Sequence, residues 1–201
     1  QQNRYLASRK NLLGHERVLA AAMKAGDRTL LPLQFGLLIE TWEQVITELI
    51  QPHSEGLKRL FERLEGKREV GIKVLWQSDQ ELEQLMAEDS QLRQDRDRLE
   101  GKVLSMDEVV SIGQAIEDRL EHRKNTVIEA FRTVLNPFST DVVENDPLTD
   151  AMIYNAAYLI PWEDEPDFAD AIEALDSQFE DRLRIRYNNF TSPFNFAQLD
   201  Q

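Results

Sequence analysis

Cysteine is absent from all 201 residues. That excludes disulfides and thiolate metal sites and fits a reducing compartment. No run approaches the roughly 18 apolar residues that a bilayer span requires. There is no basic excess either, with 23 Lys and Arg against 37 Asp and Glu and a formal net charge of −14. Phosphate recognition needs a basic surface, so nucleic acid is excluded as a partner. The same acidity repels anionic lipid membranes and favours basic partners. Cations are missing locally as well: none occurs between Arg132 and Arg182. The three histidines, His15, His53 and His122, lie in three different stretches, and none has a second ligand at metal spacing. His15-Glu16 lacks the downstream His of a zinc-protease helix. The close glycine pair, Gly66 and Gly71, is not followed by Lys-Ser or Lys-Thr, so there is no phosphate loop. No serine nucleophile elbow is present, and carboxylates this numerous single out no catalytic pair. The opening residues Gln1-Gln2-Asn3 show no initiator Met and no signal-peptide pattern, and the expectation is an N-terminally incomplete chain.

What is present is a 41% hydrophobic complement, enough for a real core, arranged around one long helical stretch, 77–135. Ser105-Met106-Asp107-Glu108 reads as a capping box, in which the Ser105 hydroxyl accepts from the Glu108 amide while the Glu108 carboxylate reaches back. Val109, Ile112, Ile116, Leu120, Val127, Phe131 and Leu135 then recur at three- and four-residue steps, interrupted by charge at Arg123-Lys124. Pro137 ends the run. A helix of about 30 residues is roughly 45 Å long and needs a partner. Leu82, Leu85, Leu92 and Leu99 supply an apolar stripe for one, and Gly101-Lys102 permits reversal. The pattern predicts an antiparallel helical hairpin over 77–135, with Leu85, Leu92 and Leu99 facing Val109, Ile112 and Ile116. Two ordinary helices lying on a domain are the alternative.

On either side the chain reads as α/β. Residues 5–25 are helical and end at Gly26, and 28–40 reads as a strand placed at an edge or bulged by Pro32. Residues 42–64 are helical with a break at Pro52. Residues 68–76 alternate, with Val70, Ile72, Val74 and Trp76 on one face. After the hairpin, 138–144 reads as a short strand and 151–162 as a strand buried on both faces. Glu163-Asp164-Glu165-Pro166 opens a helix with an apolar stripe of Phe168, Ile172, Leu175 and Phe179. In 182–187 three arginines alternate strictly with Leu183, Ile185 and Tyr187. The shared element order suggests that 29–76 and 151–190 are two copies of one unit. The expected fold is therefore α+β: two small two-layer α/β sandwich (ferredoxin-like) domains joined through the hairpin. The first would be 1–76 with upstream strands missing. The second would be 77–201, comprising hairpin 77–135 and an α/β part, 138–201.

Two features look like partner surfaces. One is the arginine face of Arg182, Arg184 and Arg186, either open or covered by the first hairpin arm with its Glu81, Glu83, Glu88 and Asp89; the open face is expected. The other is the tail with Phe190, Phe194 and Phe196. Rings worth roughly 1.5–3 kcal/mol each when buried either pack back on the chain's own sheet or insert into a partner.

Leu31-Pro32-Leu33-Gln34-Phe35-Gly36 followed by Trp42 resembles the Leu-Pro-x-Arg-Phe-Gly block of the gas vesicle protein F/L family. Lys67-Arg68-Glu69-Val70, Asn155-Ala156-Ala157-Tyr158-Leu159 and Arg182-Leu183-Arg184-Ile185-Arg186-Tyr187 resemble its later strands, and the likeness is strongest to the F-type members of cyanobacteria. Gln34 stands where the family has Arg, and the tail lacks the usual Gly-Pro-Trp-Pro-Pro-Tyr run. The resemblance implies a two-domain α/β protein with a helical hairpin, without catalytic residues or cofactor. It also implies a cytoplasmic, gas-vesicle-associated assembly factor or minor component whose partners are the hydrophobic shell protein and other accessory proteins. An enzyme or small-ligand-binding α/β sandwich unrelated to vesicles is the alternative reading, and a purely structural coiled-coil oligomer is a third.

Overall fold

The computed structural model describes residues 7–26, 28–99, 105–180 and 182–199, with side chains except at 95, 96, 98 and 99. It is an α+β structure built on a four-stranded antiparallel sheet with strands β1 (Lys67–Trp76), β2 (Asp141–Glu144), β3 (Met152–Pro161) and β4 (Leu183–Thr191) in the order β2-β3-β1-β4. β1 comes from the chain before the long helices and the other three from after them. It nevertheless lies between β3 and β4, with Val70 opposite Tyr158 and Val74 opposite both Tyr154 and Ile185. The two expected sandwiches are thus replaced, among the described residues, by one sheet to which both segments contribute.

The alternation of β1 decides where the core sits. Val70, Ile72, Val74 and Trp76 point to one face and join Tyr154, Ala156, Tyr158 and Ile160 of β3. Two helices cover that face: α6 (Met106–Leu135), through Val127, Ile128, Phe131 and Leu135, and α7 (Glu165–Gln178), through Phe168, Ile172 and Leu175. On the opposite face Ala157 and Leu159 are buried beneath Leu64 and Phe196, flanked by Leu31 and Val143. β3 is therefore covered on both sides, as its unbroken apolar run requires.

The N-terminal part is helical. α1 (Arg9–Ala25) is capped by Ser8, whose side chain accepts from Asn11 N, and ends at Gly26 with φ 116°. α2 (Trp42–Gln44) continues through a π-helical segment, Val45–Ile50, into α3 (Gln51–Leu64). The expected break at Pro52 does not occur. Gln51 N bonds Ile46 O, five residues back, and this wider turn places Pro52 in the first turn of α3, where no donor is needed. The expected strand over 28–40 is also absent: the segment is irregular, with a turn at Gly36 (φ 97°). Pro32 removes a ladder donor, Gly36 turns the chain, and Leu33, Leu37 and Leu38 stay exposed. Without that strand the proposed internal repeat fails.

Both arms of the expected hairpin are present, with one revision. Its first arm is two helices, α4 (Ser78–Glu88) and α5 (Ser90–Leu99), both lying against α6. Asp89 between them is extended (φ −83°, ψ 100°), and its Oδ1 accepts from Gln91 N at 2.9 Å and Leu92 N at 3.0 Å, capping α5. Its Oδ2 accepts from Arg119 Nε of α6 at 2.5 Å. The Ser105–Glu108 capping box is present, with the Ser105 N–H donating to Glu108 Oε2 at 2.9 Å. Leu85 and Leu92 are buried, but Val109 is half exposed, so the expected seam does not reach the start of α6. The reversal at Gly101-Lys102 and the side chain of Leu99 lie outside the described residues.

Two outcomes follow. Leu92→Asp buries an unpaired charge and is expected to cost about 3 kcal/mol in urea unfolding, whereas Val109→Asp stays within about 0.5 kcal/mol; equal losses would place Val109 in the seam. The Asp89 carboxyl is held below the usual aspartate range by the Leu92 N–H and then by Arg119. A depressed folded pKa gives stability that is present above the ordinary value of about 4 and lost as pH falls through the folded one. Asp89→Asn keeps a cap but cannot titrate, and should flatten the acid side of the melting-temperature profile.

Candidate interaction surfaces

The three arginines of the alternating segment do not share one environment. The β1–β4 ladder begins at Trp76 opposite Leu183, so Arg182 precedes the sheet and is free to turn toward α4. Its Nε donates to Glu81 Oε1 at 2.9 Å and its Nη2 to Glu81 Oε2 at 2.5 Å. Glu81 is only 1% exposed. Arg123 of α6 approaches the same Oε2 at 3.5 Å and also pairs with Glu88. Arg182 is thus part of an ion cluster joining α4, α6 and the start of β4, and the expected open face is corrected at this position. Arg184 and Arg186 are exposed; they lie opposite Leu75 and Lys73 of β1.

The tail aromatics also separate. Phe196 is 1% exposed and packs with Leu64, Ala157 and Leu159 on the sheet's second face. Beside it the Asn195 N–H and Nδ2 donate to the two oxygens of buried Glu69, at 2.9 and 2.7 Å, stapling the tail to β1. Burial pushes the Glu69 carboxyl above the usual range, opposed by those bonds. Phe190 is half buried beneath Lys24 Nζ, 5.7 Å from its ring centre. Phe194 is 42% exposed, its ring 6.4 Å from that of His15.

The sequence reading missed a surface. Large apolar side chains exposed to solvent concentrate in the N-terminal half: Leu12 and Val18 on α1, Leu37 and Leu38 in the irregular segment, then Trp42, Ile46 and Ile50. Trp42 is 82% exposed. The irregular segment is held to α1 by His15 Nε2 and Leu33 O, 2.9 Å apart, and by an edge contact between the His15 and Phe35 rings. A groove of about 350 Å³ runs there, bounded by Leu12, Met23, Phe35, Phe190 and Phe194. The expected helices over 5–25 and 42–64 and the expected strand over 28–40 carried no sign that these side chains would stay uncovered.

The buried polar groups act as braces. Tyr154 and Tyr158 hydroxyls lie 2.8 Å apart; Glu144 accepts from Tyr154 and from Arg132 Nε at 2.7 Å and Nη2 at 2.6 Å. Burial pushes the Tyr154 phenol up to about 12, so it stays protonated near neutrality. Among the described residues no group of three His, Cys, Asp or Glu is placed to hold a metal ion, and no helix is long and apolar enough to cross a membrane.

The different settings of the arginines are separable by mutation. Glu81→Ala removes the carboxylate that Arg182 and Arg123 share and leaves Arg123 with Glu88 alone. Breaking a buried pair costs about 3–5 kcal/mol, reduced here to about 2 because Arg182 retains solvent contact. Arg184→Gln and Arg186→Gln should each change unfolding free energy by less than about 0.5 kcal/mol. A comparable loss in all three variants would contradict the separation.

Comparisons with known proteins agree with this architecture. The family model described as gas vesicle synthesis protein GvpL/GvpF matches residues 1–198. Gas vesicle protein F of Dolichospermum flosaquae is 55% identical over 200 residues, covering 100% of this chain and 82% of that protein. The crystal structure of GvpF from an Anabaena species superposes with a TM-score of 0.92 at 52% identity, over 100% of this chain and 82% of that one. GvpF from Microcystis aeruginosa gives 0.82 at 53% identity, over 99% and 82%. The chain belongs to the gas vesicle synthesis protein GvpL/GvpF family.

Proposed function

We propose that the protein is a non-enzymatic assembly factor or minor structural component of gas vesicles, working in the cytoplasm at the forming vesicle. It binds the hydrophobic shell protein and limits its aggregation. The observation that carries this reading is the exposed apolar surface of the N-terminal half on a protein of net charge −14. Single exposed apolar residues are ordinary, but a concentration of them marks a surface for a partner. Covering a side chain such as Trp42 or Leu38 is worth roughly 1.5–3 kcal/mol, while the surrounding carboxylates keep the complex dispersed. The names of the relatives support the setting. In this reading the chain divides by role. The helical part, 7–64, presents the apolar surface; the sheet with α6 and α7 is the rigid base, and the hairpin is a brace.

Light scattering of shell protein diluted from denaturant provides the test. The protein should suppress the scattering. Leu38→Ser with Trp42→Ser should lose most of that effect at unchanged melting temperature, since both side chains are already in solvent. Undiminished scattering with the unaltered protein would overturn the proposal.

A further inference from the structure

The sheet's second face is only half covered. Phe196 and Leu64 close the end near Leu159, and beyond them lies an open groove of about 610 Å³. Its floor includes Gly71 and Ala157, adjacent across β1 and β3. A Cβ placed on Gly71 would meet nothing within 4 Å, so the space above this residue is open. One wall carries Lys73 and Arg186, directly opposite each other on β1 and β4. Arg184 continues that row along β4. Asn155 and Asn188 also line the groove, and the Glu69–Asn195 staple closes one end.

Part of the positive charge of the molecule is tied up in ion pairs. Arg63, Arg119, Arg123, Arg132 and Arg182 each pair with a carboxylate of another element. Lys73, Arg184 and Arg186 sit on neighbouring strands, and none of their side chains has a hydrogen bond or ion pair among the described residues. On a protein of net charge −14, gathered free cations are not needed for solubility, which the acids already provide. Alternate residues of a strand are about 6.7 Å apart. An extended partner segment with acids at every second position therefore presents carboxylates at the spacing of Arg184 and Arg186. Guanidinium groups take carboxylates in paired hydrogen bonds. The neighbouring amides suit a peptide backbone. Asn155 Nδ2 donates to Asp146 O and Asn188 Oδ1 accepts from the Phe190 N–H, leaving Oδ1 of the first and Nδ2 of the second without partners.

We propose that this groove is a docking site for an extended, acidic segment of a partner protein, read by Lys73, Arg184 and Arg186. The site lies on the sheet rather than on the N-terminal apolar surface and does not depend on shell-protein binding.

The test uses the full chain and a labelled, end-blocked peptide of four Glu-Ala repeats, followed by fluorescence anisotropy at low salt. The peptide should bind, and the Lys-Ala counterpart should not. The triple change Lys73→Gln, Arg184→Gln and Arg186→Gln should weaken binding by at least about tenfold at unchanged melting temperature. Gly71→Val keeps every charge, fits the open space and should weaken binding to a similar degree by filling the floor. Both variants should suppress shell-protein scattering as the parent does. Equal peptide binding by parent and triple variant would overturn the proposal, as would tighter binding of an oligothymidylate of the same length. A change in the parent's sedimentation that the triple variant abolishes would identify a second copy of the chain as the occupant and also overturn it.

Discussion

Everything in this structure depends on the pairing of β1 with β3. The two strands meet from Lys67 opposite Pro161 to Leu75 opposite Met152, across the whole helical excursion between them. Closing so long a loop is entropically costly, though the cost rises only slowly with length. The compensation is burial on two sides. Val70, Ile72, Val74, Tyr158 and Ile160 are fully covered by α6 and α7, and Leu159 and Ala157 by Leu64 and Phe196. A sheet closed this way puts the beginning and end of the long helices at one place, which makes the hairpin a consequence of the sheet.

Charge then holds the helices to that base. Glu81 is the centre of this second layer, because a carboxylate removed from water needs its hydrogen bonds satisfied. Arg182 and Arg123 supply them from two different elements. Asp89 does similar work about two turns further on, capping α5 and accepting from Arg119. Glu144 links Arg132 of α6 to Tyr154 of β3, and Glu69 ties the tail to β1. In an acidic chain these contacts use most of the arginines that lie near the sheet. Lys73, Arg184 and Arg186 are among the sheet cations that these contacts leave without a carboxylate.

The molecule presents two unlike surfaces, an acidic base with a cationic groove and an N-terminal half with apolar side chains in solvent. In the two proposals a hydrophobic partner and an acidic one are assigned to different surfaces. α1 and the irregular segment contact each other through His15, Leu33 and Phe35, and reach the base through Phe194 and through Ser192, whose hydroxyl lies 3.6 Å from Met23 Sδ.

Local pattern sufficed for much of this. The capping box at Ser105, the 30-residue α6, the alternation of β1 and β4 and the doubly buried β3 were legible because each depends on neighbours within a few residues. The gas vesicle resemblance was legible as well, from blocks of residues in order. The segment 28–40 was misread because an apolar run becomes a strand only where it docks on a sheet edge, and this one pairs with neither edge of the sheet. The break at Pro52 was misread because a wider turn upstream can absorb a proline. The single sheet, the capture of Arg182 by Glu81, the burial of Phe196 and the exposure of Trp42 were decided by tertiary structure alone. Each depends on which distant element comes to lie alongside, and the periodicity of one segment carries no record of its neighbours in space.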